Sequence, residues 1–217
     1  MIKSMTIRKA PFVNEEYYHV FNRGVDKRQI FNEYKDLNRF FQSIQEFNTI
    51  EPIGSIFENF FRKSLRSSTP KPLVSFVCYC INPNHYHFIL RQVVNRGIER
   101  FMQKLGTGYT NYFNKKYERS GSLFQGRFKS VRVDSNEYLL HLSAYVNLND
   151  KVHPLGSSTP KWTKSSWEEY VSGVKNGFCE KDIVLGQFKN SAEYKEFAES
   201  SLIDIKERKE MEKFLLE

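Results

Sequence analysis

Residues Leu73–Gln92 run LVSFVCYCINPNHYHFILRQ. Leu73–Ile81 is the longest apolar run of the chain, with two valines and two aromatic rings, and reads as a buried strand. Asn82-Pro83-Asn84 carries turn chemistry. His85–Gln92 reads as a second strand, so the segment folds as a hairpin.

Working outward, Glu16–Asn22 reads as a strand, followed by a basic turn at Arg23–Arg28. Asn32–Phe47 carries Leu37, Phe40, Phe41, Ile44 and Phe47 at helical spacing. The stretch 51–71 holds Pro52, Gly54 and Ser67-Ser68-Thr69-Pro70, and is expected to be an insertion or long loop. Ile98–Tyr117 reads as a long helix interrupted by Gly106 and Gly108. Leu123–Val133 contains a strand, with Gly126 as a bulge or close-approach point. Asp134 is expected to cap a helix running to about Asn149, with Glu137 three residues on. The resulting order, β-α-β-β-α-β-α, predicts an α+β fold. Its core is a ferredoxin-like split βαβ, an antiparallel sheet with helices on one face. Residues 1–150 form the expected domain, and 151–217 an extension packed on the core. In that extension Trp162, Trp167 and Tyr170 are expected anchors, and Ser191–Ser200 and Ile203–Leu216 two helices.

Of the 217 residues, 40% are hydrophobic and 27% charged, the composition of a globular chain with a real core. No apolar run approaches the roughly 18–20 residues of a membrane span, and the N-terminus lacks a signal-peptide core. Cys78, Cys80 and Cys179 are too few and too poorly spaced for a disulfide framework or a zinc site, which points to a reducing cytoplasm. The net charge is +8. All of it falls within residues 91–132, which hold Arg91, Arg96, Arg100, Lys104, Lys115, Lys116, Arg119, Arg127, Lys129 and Arg132 against Glu99 and Glu118 alone. Such one-sidedness suits a phosphate-contacting surface. Arg23, Lys27 and Arg28 form a second candidate patch. Tyr109, Tyr112 and Phe113 could stack on bases, but their helical spacing suits a core at least as well.

His85 and His87 lie two apart on a strand, so both imidazoles face one side. They are either half of a divalent-metal site or ordinary strand histidines. Tyr145 and Asn149, four apart on the last helix of the core, fall on one face. Tyr145 is a phenolic nucleophile or an amphipathic rim residue; Asn149 is an oxygen ligand or a helix cap. His19 reads as a buried strand histidine, and His141 and His153 carry no signal.

These pieces resemble the single-tyrosine HUH transposases, and within them the REP-associated tyrosine transposase branch. The matching residues are His85-Tyr86-His87, Tyr18-His19-Val20 through Asn22-Arg23-Gly24 to Ile30-Phe31, Gly121–Lys129, and Tyr145-Val146-Asn147-Leu148-Asn149. The resemblance covers Glu16–Asp150. One departure stands out: Asp150 occupies a position that is usually proline. The resemblance implies a metal-dependent single-stranded DNA endonuclease and strand-transfer enzyme acting on DNA hairpins. It implies Tyr145 as the nucleophile forming a 5′-phosphotyrosine, and His85, His87 and Asn149 as ligands of Mg²⁺ or Mn²⁺. No nucleotide cofactor is implied, and a monomer is favoured over a homodimer. The competing expectations are a catalytically silent or domesticated hairpin-binding protein, another phosphoesterase, and a protein-interaction domain. A two-histidine phosphoesterase would need two His-x-Thr/Ser motifs, and there is a single HxH.

Overall fold

A computed structural model describes residues 11–63, 71–152, 162–173 and 177–214. The N-terminal ten residues, the Ser-Thr-Pro loops near 67 and 157, His153 and the last three residues lie outside that set. The hairpin forms as the sequence predicts: β2 is Val74–Asn82 and β3 is His85–Gln92. Asn82 pairs with His85, so Pro83-Asn84 is a two-residue turn. That turn is tied down from outside. Gly24 N–H donates to the Asn84 carbonyl (2.8 Å) and Ile30 N–H to that of Pro83 (2.7 Å).

β1 (Tyr17–Arg23) pairs with β3, β4 (Lys129–Arg132) with β1, and the two-residue β5 (Lys164–Ser165) with β2, all antiparallel. The sheet order is β4-β1-β3-β2-β5. The first four strands have the split βαβ arrangement, in which each crossover skips one strand. β5 is an addition that the sequence does not announce, because two residues carry no periodicity.

Strand alternation sorts side chains into two cores. On one face Phe76, Tyr79, Ile81, Tyr86, Phe88 and Leu90 meet α1 (Tyr34–Phe47) and α3 (Gly97–Lys116). α1 presents Leu37, Phe40 and Ile44; α3 presents Ile98, Phe101, Leu105, Tyr109 and Phe113, the i, i+3/i+4 stripes of amphipathic helices. Tyr109 and Phe113 are therefore core residues. Gly106 and Gly108 do not interrupt α3: the i→i−4 ladder outweighs two weak formers in a packed helix.

On the other face Val77, Cys78, Cys80 and Ile89 meet α4 (Asn136–Asn147), through Leu139, Leu142 and Val146. A β-bulge at Val77 puts two consecutive β2 side chains, Val77 and Cys78, into this layer. The three cysteines are free and buried.

Several boundaries differ from expectation. The cap of α4 is Ser135, whose hydroxyl accepts the Tyr138 N–H, in place of Asp134. α4 ends at Asn147, with Leu148 as C-cap at φ −107° and ψ 16°. A separate short helix, α5 (Asn149–Val152), follows. Within the expected loop 51–71 a helix, α2 (Ile56–Lys63), forms. The extension adds α6 (Trp167–Val171) and α7 (Asp182–Leu185). It ends in one helix, α8 (Ser191–Phe214), where two were expected; Ser200-Ser201 does not break it. Trp167 and Tyr170 are buried against α4 and the sheet, as anchors. The Tyr194 hydroxyl accepts from Asn147 Nδ2 (2.9 Å), fastening α8 to α4.

Candidate active site

The register of three strands builds the site. Phe21 faces His87 across β1 and β3, and His19 lies two residues further along the same face. α4 covers this face, and its last turn carries Tyr145 over the histidines. The ring centroids of Tyr145 and His87 are 5.5 Å apart with planes at 82°, and those of Tyr145 and His19 are 6.3 Å apart at 85°. The break at Leu148 then swings Asn149 inward. It is fully buried, and its Oδ1 sits 3.0 Å from His85 Nε2. Tyr145 and Asn149 thus converge on the histidines from two helices, not from one helix face. Asp150 occupies the first turn of α5.

The hydrogen bonds set the tautomers. His85 Nδ1 lies 2.6 Å from Asn84 Oδ1, which can only accept, so Nδ1 carries the proton and Nε2 keeps a lone pair. His87 Nδ1 lies 2.9 Å from His19 Nε2. Burial pushes the His19 imidazole down to about 4, so it is neutral and can accept a proton from His87. In the tautomer in which His87 Nδ1 donates to His19, His87 Nε2 carries the lone pair, the usual outer-shell support of a ligating histidine. Burial raises the Tyr145 phenol, an effect that the Asn149 carboxamide partly offsets, so the phenol keeps its proton at neutral pH.

These donors fit a small divalent cation. The lone pairs of His85 Nε2 and Asn149 Oδ1 converge at 3.0 Å. That is about the spacing of adjacent ligands on an octahedron with arms of about 2.1 Å. Among the described residues no three His, Cys, Asp or Glu side chains gather around one point, so a cation here would draw on a carboxamide oxygen.

A cleft of about 570 Å³ opens onto these groups. It is lined by Phe21, Asn22, Arg23, Lys27, Asn84, His85, His87, Gln125, Lys129 and Tyr145. The Gly121–Lys129 segment reaches it by docking on the end of β1. Gln125 N–H donates to the Arg23 carbonyl (2.8 Å), Asn22 Nδ2 to the Gly126 carbonyl (3.2 Å), and Arg23 Nε to the Gln125 side chain. Gly126 sits at φ +68° in this loop, outside any strand.

Of the expected phosphate-contacting residues, Arg23, Lys27 and Lys129 line the cleft. The rest of the basic segment is more dispersed. α3 packs on the sheet face opposite the histidines. Lys104 donates to the Thr49 and Glu51 carbonyls, Arg100 to that of Ile50, and Lys116 to Glu33 and Asp36. Arg91 is clamped between Glu15 and Glu180, Arg96 pairs with Glu99, and Arg132 with Glu16. Arg119 bonds Asn114 and Ser122, and Arg28 bonds the Val25 carbonyl beside Asp26. Lys115 and Arg127 are exposed. His141 packs on Phe197 and bonds Ser201 of α8, a structural role.

The family model described as "Transposase IS200 like" matches residues 12–149, which hold the four core strands, α4 and Asn149. The chain belongs to the IS200-like transposase family. Among solved structures it is similar to one described as the REP-associated tyrosine transposase bound to a REP hairpin. The TM-score is 0.51 at 12% identity, over 80% of this chain and 90% of that one. At that identity the likeness is one of fold. No curated protein matches the chain. Among the described residues, no helix of this transposase-family chain is long and apolar enough to cross a membrane.

His19, Asn82 and Asn84 belong to the site and were not singled out as site residues by sequence reasoning. A signal existed for His19: given the β1–β3 register, period-two alternation places it on the His87 face.

Proposed function

We propose that the protein is a metal-dependent endonuclease and strand-transfer enzyme for single-stranded DNA flanking hairpins, working through a 5′-phosphotyrosine. The observation that carries this reading is a cleft lined by Tyr145, His85 and His87 together with Arg23, Lys27 and Lys129, with the buried Asn149 oxygen 3.0 Å behind His85 Nε2. Family membership supports the transposase chemistry, and the fold neighbour's hairpin supports the substrate class.

In this reading Tyr145 Oη attacks the scissile phosphorus, the P–O3′ bond breaks, and the phenolic proton ends on the departing 3′ oxygen. The phosphotyrosine conserves the bond energy, so a 3′-OH can reverse the step and join strands. Mg²⁺ or Mn²⁺ held by His85, His87 and Asn149 would polarise the phosphate and offset its developing charge. Arg23, Lys27 and Lys129 would hold the phosphates on either side, with no base-specific content of their own. The catalytic unit is residues 1–150, with 151–217 as a buttress behind α4. Both the nucleophile and the ligands come from one chain, which favours a monomer; the same reading places it in the cytoplasm.

The test is cleavage of a labelled hairpin with single-stranded flanks in Mn²⁺. The wild type should give a product with a free 3′-OH that a polymerase extends. His87→Ala should bind the hairpin yet cut at most about a hundredth as fast. Equal cutting by His87→Ala, or by wild type in excess EDTA, would count against the cation.

A further inference from the structure

We infer that Asn82 is a further ligand of the cation that His85, His87 and Asn149 would hold, its side-chain oxygen turning inward to complete one face of the site with His85 and Asn149. The inference rests on the cation-dependent reading above. Asn82 closes β2 and is the cross-strand partner of His85. It is 1% exposed, on the sheet face where Val77, Cys78, Cys80 and Ile89 pack beside the histidines. A carboxamide in such surroundings needs polar partners. Asn82 Nδ2 has three neighbours: Asn149 Oδ1 at 2.9 Å, His85 Nε2 at 3.1 Å and the weak acceptor Cys80 Sγ at 3.7 Å. Its Oδ1 is buried with no hydrogen-bond partner.

With the 3.0 Å contact between His85 and Asn149, these atoms form a nearly equilateral triangle with sides of 2.9, 3.0 and 3.1 Å. One face of an octahedron with arms of about 2.1 Å has edges of about 3.0 Å. Hydrogen bonding alone cannot satisfy the triangle. His85 Nε2 is an acceptor, because its other nitrogen gives its proton to Asn84. If either carboxamide turns its NH₂ inward, one edge still sets two acceptors together; if both do, two donors meet. With both oxygens inward three lone pairs converge, and a cation turns that conflict into coordination. A half-turn of the Asn82 amide exchanges nitrogen for oxygen at nearly unchanged shape. Without a cation, the NH₂ holds His85 and Asn149 at ligand spacing.

The test is Mn²⁺ binding by the full-length protein without DNA, read from the electron paramagnetic resonance of free Mn²⁺, with circular dichroism as the fold check. Asn82→Leu, which removes the oxygen, should weaken binding at least about tenfold. Asn82→Asp, which keeps the oxygen and adds charge, should tighten it severalfold. Wild-type affinity in Asn82→Leu overturns the inference, as does unchanged or weaker affinity in Asn82→Asp. Should Asn82→Leu fail to fold, Asn82→Asp decides alone. A wild type that binds Mn²⁺ while the variants match it removes Asn82 only. A wild type that binds none removes the cation from the proposed function as well.

Discussion

His19 shows how much one buried imidazole does at this site. It is 7% exposed, neutral, and hydrogen-bonded to His87 Nδ1 at 2.9 Å. If that bond sets the His87 tautomer, His19→Phe should weaken Mn²⁺ binding about 10- to 100-fold with little change in thermal midpoint. His19→Gln, which keeps an acceptor, should recover part of the loss. Equal affinity in His19→Phe would leave His19 a packing residue. Asp36 plays the corresponding part in stability. Burial would raise its carboxyl. The Lys116 ammonium, the Tyr117 and Tyr112 hydroxyls and the Asn32 N–H outweigh burial and hold it below the usual carboxylate range. Because its folded pKa is depressed, its contribution is present above the unfolded pKa and is lost as pH falls through the folded one. Asp36→Ala should cost about 3 kcal/mol at pH 7 in urea unfolding, and less at pH 3. A cost that does not fall with acid would separate it from the ion pair. Asp36 does not announce its role in the sequence, and His19 does so only once the β1–β3 register is known. His19 is one histidine in a strand, and its partner lies 68 positions away.

At the scale of elements, the hairpin was legible because a long apolar run, an Asn-Pro-Asn turn and a second strand-like segment follow one another. α1 and α3 were legible from the helical spacing of their apolar residues. The break between α4 and α5 was not, since Val146-Asn147-Leu148-Asn149 contains neither proline nor glycine. It follows from tertiary bonds: Ser166 Oγ donates to Asn147 Oδ1 at 2.6 Å, while Asn149 is drawn into the His85 cluster. Tyr145 and Asn149 do lie together beside the histidines, but the turn at Leu148, not a straight helix, brings them there. Two glycines of α3 separate packing from propensity. A Cβ on Gly97 would meet the Leu73 carbonyl oxygen at 2.1 Å, whereas one on Gly106 would meet nothing within 4 Å. Gly97→Ala should lose about 1–3 kcal/mol through overpacking against backbone. Gly106→Ala should gain up to about 1 kcal/mol from helix propensity. Denaturant midpoints measure both, and equal effects would contradict the packing described.

For the whole molecule, a single sheet divides a structural layer from a chemical one. α1 and α3 fill one face, joined by Trp162, Phe178 and Cys179 of the extension; α4, α5 and the rest of the described extension close the other around the histidines. This division explains why the concentration of charge in residues 91–132 was only partly informative. Sequence proximity placed ten cations beside the His85 strand, but α3 carries several of them to the far layer, where they bond carbonyls and acids. Lys129→Ala, at the cleft, should lower the salt dependence of hairpin binding by about one unit of slope. Lys104→Ala should leave that slope unchanged and lower stability, since Lys104 bonds the Thr49 and Glu51 carbonyls. The most direct test of the whole scheme is covalent. A labelled hairpin with single-stranded flanks, incubated with the protein and Mn²⁺ and run on a denaturing gel, should yield a protein–DNA adduct. That adduct should vanish in Tyr145→Phe while hairpin binding persists. An adduct that survives in Tyr145→Phe, or a wild type that binds hairpins without ever forming one, would contradict it.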